Sequence, residues 1–331
     1  MTKSVKFSQI IKTLSMSACA LLVSTTVLAN SNSGSHDSHS QPITKKEINL
    51  ENNEANRPIK IDLWFKPQQA AVKNIAILSH GAMGAAIDYS WLAYPLASQG
   101  WTVVGMNHYG ESWRYGRGNI DPSSVTRFWQ RTEDISYVID NLDNIFAAEK
   151  LSNDPNIVVI GHSSGGQTAA ALAGVTLSFE QMRDYCQSNK SNGDLGCSYA
   201  KKGAERKPAV QSSTINNSED KRVQRIVMLD PALGPAATIE SLSKVSIPSL
   251  VVGSFNNDFL PFEHHAKYYA THMPQSTLVS LNNSEGHFVY LNKCEHPHKA
   301  QGVPLCEDRD GVDRELVHRQ LLGRIFGFLH Q

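Results

Sequence analysis

Apolar residues along the chain keep two rhythms, and the rhythms take turns. Short apolar runs bounded by polar or glycine-bearing segments read as strands buried on both faces: Asn74 to Leu78, Trp101 to Met106, Ile157 to Ile160, Arg225 to Leu229, Pro248 to Val252 and Thr277 to Leu281. Arg57 to Phe65 alternates instead, as a half-exposed strand does. Ile135, Val138, Ile139, Leu142, Ile145 and Phe146 follow helical spacing, as do Val317, Leu321, Ile325 and Phe328. Strands alternating with helices predict an α/β fold with a mostly parallel sheet, the helical stripes serving as core. One stretch breaks the rhythm: 177–222 is rich in Ser, Asn and Lys, carries two cysteines and shows no period, which fits either a cap over a site or a solvated insertion.

Composition narrows this little, but the N-terminus changes it. A chain of 331 residues with 40% hydrophobic content can bury one large core, and no repeat or heptad divides it. Lys3, Lys6 and Lys12 precede the apolar stretch Leu14 to Leu28, and Val27-Leu28-Ala29 offers the small residues at which signal peptides are cut. Residues 1–29 are therefore expected to be a signal peptide, 30–45 a flexible linker and 46–331 the folded domain, in a periplasmic or secreted protein. Cys19 sits in a poor lipobox, and the apolar stretch is short for a span of about 20 residues, so neither lipidation nor stable membrane insertion is expected. Loss of the three lysines from a balance of 31 basic and 31 acidic side chains leaves a net charge near −3, no reason to expect nucleic acid as a partner.

Export makes the other cysteines legible. Cys186, Cys197, Cys294 and Cys306 allow three pairings in an oxidising compartment. The local one is expected, Cys186 with Cys197 and Cys294 with Cys306, because each pair brackets a short Gly- or Pro-bearing loop. His287, His296 and His298 lie near Cys294, but the spacing matches no zinc template, and neither metal nor cofactor is expected.

The chemistry concentrates at Gly161-His162-Ser163-Ser164-Gly165, between the run Ile157 to Ile160 and the alanine-rich Gln167 to Val175. Strand, sharp turn and helix with serine at the apex is the arrangement that exposes a hydroxyl for nucleophilic attack, and glycines two before and two after give strand and helix room to touch. Ser79 to Gly84 forms a glycine-bearing loop upstream, where an α/β-hydrolase takes its second oxyanion donor, so the backbone N–H groups of Ala82 and Ser164 are the expected pair. Ser163, Asp258 and His287 follow the chain order nucleophile, acid, base, each after a strand. Asp230, at the end of the strand Arg225 to Leu229, is the rival acid. His80 and His162 read as structural hydrogen-bonders, and Tyr109 and Trp113 as rim residues able to contact substrate.

With those residues in view, Leu78 to Gly84, Leu96 to Gly110, Gly161 to Gly166, Leu229 to Pro235 and Gly286 to Arg314 resemble the bacterial dienelactone-hydrolase-like serine hydrolases. That branch is itself similar to platelet-activating-factor acetylhydrolases and polyester hydrolases. The most specific piece is Gly286-His287-Phe288 followed by Cys294, Cys306 and Gly311-Val312-Asp313-Arg314. The resemblance implies an α/β-hydrolase fold and esterase activity on a small-molecule ester, with nucleophile, base and oxyanion donors at Ser163, His287, Ala82 and Ser164. In the acetylhydrolase-like members it places the acid at the position of Asp230. The chain departs from dienelactone hydrolases in holding serine where they hold cysteine. A thioesterase or amidase would use the same parts, and a silent binding protein could share the scaffold.

Overall fold

The expected alternation is present in the computed structural model, which describes residues 42–67, 71–198, 218–294 and 298–331. The signal segment 1–29, most of the linker, residues 199–217 of the insertion and His296 lie outside the described residues. Eight strands form one sheet: β1 (Thr44–Asn52), β2 (Arg57–Phe65), β3 (Val72–Ser79), β4 (Thr102–Asn107), β5 (Leu151–His162), β6 (Val223–Leu229), β7 (Ser249–Ser254) and β8 (Ser276–Leu281). Their spatial order is β1-β2-β4-β3-β5-β6-β7-β8. β2 runs antiparallel to both its neighbours, and every pairing from β4 to β8 is parallel. This is the α/β-hydrolase fold, in which the carboxyl ends of the parallel strands gather loops at one edge.

The unbroken apolar runs have a direct cause. Alternate residues of each parallel strand point to opposite faces, and both faces are covered along the apolar runs of β3 to β7, whereas the edge strand β8 is only partly buried, with Leu278 exposed. Ile77, Val159, Ile226 and Val251 enter one core, beneath the helices Trp129–Asp140, Ser164–Leu172 and Ala266–His272. Leu78, Val158, Val227 and Val252 enter the other, where the helices Ser90–Ser98 and Arg314–Leu329 bring Leu92, Leu96, Leu321 and Ile325.

Three elements differ from the sequence reading. β2 is largely buried rather than half-exposed, because its polar positions are sealed by ions: Arg57 pairs with Asp134 at 2.8 Å, and Asp62 with Lys45 at 2.8 Å and Arg114 at 3.0 Å. β1, not foreseen, pairs with β2 along its whole length, its only apolar side chains being the half-buried Ile48 and Leu50. The stripe from Ile135 to Phe146 divides at Asn141 into the helices Trp129–Asp140 and Leu142–Ile145. Within the insertion, Phe179–Gln187 is helical. Among the described residues no helix is long and apolar enough to cross a membrane.

Because Ile325 is fully enclosed between helix and sheet while Leu316 on the same helix is 44% exposed, the two should respond differently to truncation. Ile325→Ala is expected to cost about 2–5 kcal/mol and Leu316→Ala about 0.5 kcal/mol or less, read as shifts of the urea unfolding midpoint. Equal shifts would contradict the packing described.

Candidate active site

After β5 the chain turns through a conformation that few side chains adopt. Ser163 has φ +56° and ψ −118°, a strained pair that persists only where neighbours hold it. Its N–H donates to Leu229 O at 2.9 Å, and its carbonyl accepts from the N–H groups of Gln167 at 3.1 Å and Ala232 at 3.0 Å. A Cβ on Gly161 would overlap the Gly165 carbonyl, and one on Gly165 would overlap the Ser79 carbonyl. The glycines thus let β5, the following helix and the end of β3 touch backbone to backbone, which brings the loop after β3 alongside the serine. Ala82 and Ser164 line the same cavity as Ser163, and Ser164 opens a helix whose N-terminus favours a developing anion.

His287 opens the short turn His287–Tyr290 after β8 and is completely buried. Its ring stacks on Phe259 with centroids 5.1 Å apart. The structure brings Asp230, not Asp258, to that ring: Asp230 Oδ2 lies 3.7 Å from His287 Nδ1. The Asp258 carboxylate instead accepts the backbone N–H of His287 at 2.9 Å, reaches Arg309 at 3.8 Å, and is 28% exposed. Gly286 leaves room for this, since a Cβ there would come within 2.7 Å of Asp258 Oδ2. Asp258 therefore holds the loop that carries the histidine. Asp230 is itself fixed by the Ser254 N–H, which donates to Oδ1 at 2.8 Å. Asn257, which the sequence reading passed over, places its amide nitrogen 3.3 Å from His287 Nδ1 while its oxygen accepts two backbone N–H groups. Within this histidine–aspartate pair, Asp230 Oδ2 and His287 Nε2 are buried without hydrogen-bond partners.

Burial tunes both groups toward neutrality. It drives His287 down to about 3, against the pull of the Asp258 charge, so the ring is a free base at neutral pH. It drives Asp230 up to about 7, opposed by the hydrogen bonds from Ser254. Once an imidazolium forms beside it, that cation favours the Asp230 carboxylate.

A second serine, histidine and aspartate lie close together below the loop after β3. Ser79 Oγ is 2.9 Å from His108 Nε2, and His108 Nδ1 is 3.5 Å from Asp134 Oδ2. All three are buried, and none is among the described residues lining the cavity. The cluster is a support. Arg57 grips Asp134, Arg131 makes a two-pronged pair with Glu111 at 2.9 and 2.7 Å, and Arg131 also donates to His80 O at 2.7 Å. The His108 N–H donates to His80 Nε2 at 3.1 Å, which leaves His80 Nδ1–H to donate to Gly81 O at 2.6 Å. His80 is thus a structural hydrogen-bonder, as expected. Arg131, Asp134, Glu111 and Tyr89 were missed. One signal was present, since Arg131 and Asp134 occupy the same helical stripe as Ile135 and Val138, where a charge must be buried.

The cavity over Ser163 has a volume of about 1530 Å³ and largely apolar walls, among them Phe128, Met182, Leu233, Phe259 and Phe288. Trp113 lines it, whereas Tyr109 packs against Tyr115 and the Arg57 guanidinium instead. Cys186 and Cys197 are joined with Cα atoms 5.6 Å apart, and Cys294 and Cys306 with theirs 5.3 Å apart. Both halves of the second pair line the cavity.

Residues 70–182, from β3 through the turn at Ser163, match the model of the serine aminopeptidase S33 hydrolase family. No curated protein matches the chain. Among solved structures, it is similar to a predicted CIB-like hydrolase from Thermoplasma acidophilum, at 15% identity over 86% of this chain and 98% of that one, with a TM-score of 0.47. It is also similar to a cold-adapted esterase from an Arctic intertidal metagenomic library, at 14% identity over 77% of this chain and 90% of that one, with a TM-score of 0.48. The family match supports the broad hydrolase likeness; it does not single out the dienelactone branch.

A buried carboxyl raised to about 7 makes stability depend on pH in a defined direction. The fold binds the Asp230 proton more tightly than the unfolded chain, where the carboxyl titrates near 3.9, so this contribution is complete below pH about 4 and lost as pH rises to about 7. Asp230→Asn, a permanently neutral substitute, should gain in melting temperature relative to wild type across that interval. A difference that stays flat from pH 4 to 7 would contradict the raised pKa.

Proposed function

We propose that the chain hydrolyses carboxylic esters through an acyl-enzyme on Ser163, with His287 as general base, Asp230 as the carboxylate that orients it, and the N–H groups of Ala82 and Ser164 as oxyanion donors. The observation that carries this reading is His287, whose Nε2 is buried and unsatisfied in a wall of the cavity that Ser163 also lines, with the unsatisfied Asp230 Oδ2 3.7 Å from its Nδ1 on the other side of the ring. In this scheme the neutral ring carries its proton on Nδ1, directed at Asp230 rather than accepting from the Asn257 amide, and Ser163 Oγ attacks the ester carbonyl as its own proton passes to His287 Nε2. Negative charge on the carbonyl oxygen meets two backbone N–H groups, and the imidazolium is steadied by Asp230 through Nδ1–H. The ring then returns its proton to the leaving alcohol, and water, activated by the same ring, releases the acid.

The family name that matches residues 70–182 suggests amide cleavage at a free amino terminus as a second reading. The cavity favours the ester. Asp88 is the one carboxylate among its described lining residues, and it already accepts the Ala85 N–H at 2.8 Å, while Arg117, Lys293 and Lys299 supply cations. A substrate ammonium would find little to hold it.

The cysteine pairs at disulfide distance support an exported enzyme, matching the leader expected in residues 1–29, and the segment Gly286-His287-Phe288 followed by Cys294 and Cys306 supports the dienelactone-hydrolase-like branch.

Ser163→Ala should abolish fluorophosphonate labelling and lower ester turnover by roughly 10⁴-fold or more without unfolding the chain. Asp230→Asn should cost roughly 10⁴-fold in kcat by favouring the wrong imidazole tautomer, and Asp258→Asn about tenfold or less. A dead, folded Asp258→Asn beside a nearly unimpaired Asp230→Asn would reverse the assignment of the acid. Faster turnover of aminoacyl anilides than of short esters would replace the ester with the amide.

A further inference from the structure

Tyr89 carries no step of that scheme, yet it is buried at the centre of the site. Its hydroxyl lies 3.1 Å from the Gly81 nitrogen and 2.8 Å from His162 Nδ1, and His162 Nε2 lies 2.9 Å from the His287 carbonyl oxygen. The protons on this chain can be placed. Burial drives His162 down to about 3, so the ring is neutral and carries a single N–H. A carbonyl can only accept, so that proton is on Nε2, and Nδ1 must accept in turn. Burial also pushes the Tyr89 hydroxyl up, which keeps it protonated and able to donate to Nδ1. Its lone pair then takes the Gly81 N–H. Every donor faces an acceptor, and the chain has one direction.

We infer that Tyr89 and His162 are positioning residues whose relay, from Gly81 N–H through Tyr89 and His162 to the His287 carbonyl, sets the spacing between the oxyanion loop and the base. The inference rests on the assignment of Ser163 and His287 proposed above. Gly81 immediately precedes the oxyanion donor Ala82, His162 immediately precedes the nucleophile, and the relay ends on the base itself. Three loops from three strands are thereby tied at the residue beside each reacting group. The contact is tight: a Cβ on Gly81 would lie 3.2 Å from His162 Nδ1 and 3.5 Å from Tyr89 Oη. The His162 ring also packs 4.7 Å from that of His287 and 5.2 Å from that of Tyr290. With Asp258 accepting its N–H and His162 donating to its carbonyl, His287 is gripped at both ends of its backbone. Such a grip acts on the relative placement of reacting atoms, where an error of about 1 Å can cost roughly 10²-fold in rate.

The test is kcat and KM on a short p-nitrophenyl ester for wild type, Tyr89→Phe, His162→Leu, His162→Gln and the Tyr89→Phe/His162→Leu double variant, with melting temperatures alongside. Tyr89→Phe and His162→Leu should lower kcat by up to roughly 10²-fold with KM within roughly twofold, because the loss is one of alignment. His162→Gln, whose amide can accept with its oxygen and donate with its nitrogen, should retain most of the activity. The double variant should be no worse than His162→Leu, since either change already breaks the relay. Wild-type kcat in Tyr89→Phe, or a His162→Gln as impaired as His162→Leu, would overturn the relay while leaving the ester assignment standing. A wild type with neither turnover nor fluorophosphonate labelling would overturn both. If His162→Leu fails to fold, Tyr89→Phe decides, as it removes one oxygen and leaves the ring in place.

Discussion

Backbone against backbone at Ser163 is the constraint from which the rest of the site is built. β5 and the helix that follows it come so close that only glycine fits at 161 and 165, and the carbonyl of Ser79 closes the third side. Strain at such a residue costs about 1–3 kcal/mol and must be held by its surroundings. The two-faced apolar sheet supplies that hold, because β3, β5 and β6 are locked in register with both their faces buried. One close approach therefore sets Ser163 at the start of a helix and brings the loop after β3 alongside it.

Contact with the cavity, more than residue type, separates Ser163 and His287 from the serine and histidine underneath. Ser79, His108 and Asp134 have the residues and nearly the distances of a triad. They are surrounded by Arg57, Arg131 and Glu111, and none of the three is among the described residues lining the cavity over Ser163. Removing one partner of such a buried ion network leaves an uncompensated charge, so the cluster rigidifies the loop it carries. Around Ser163, His287 lines the cavity with its Nε2 buried and unsatisfied, whereas His108 Nδ1, which also lacks a hydrogen-bond partner, belongs to a residue that does not line it.

The cavity walls come from segments with little core of their own, and they are tied to one another. Asp194, beyond the helix Phe179–Gln187, bonds His265 at 2.9 Å, and the Leu195 N–H donates to Phe259 O at 2.9 Å. Gln301, between the short strands Lys299–Ala300 and Val303–Pro304, donates to Leu195 O at 3.4 Å. Each of these two walls also contains one cysteine pair. Short closed loops of this kind gain order mainly through restriction of the unfolded chain, which suits a wall that must keep its shape over a large apolar cavity.

What the chain determined by local pattern alone was the α/β alternation, the elbow around Ser163, the histidine after the last strand of the sheet and the near pairing of cysteines. Each depends on residues adjacent in sequence or on a periodicity within one element, so each is legible there. The strand Thr44–Asn52 was not, because an edge strand with half-buried side chains leaves only a weak alternation. The role of Asp258 was not legible either. Two aspartates end neighbouring strands, and which of them reaches the imidazole depends on where β6 and β7 place their exits relative to a turn more than fifty residues from one and some thirty from the other. The same is true of Tyr89, Arg131 and Glu111, whose partners lie in other elements. Hydrogen-bond geometry is fixed to tenths of an ångström by packing, and packing is a property of elements brought together, so only the tertiary structure could decide between them.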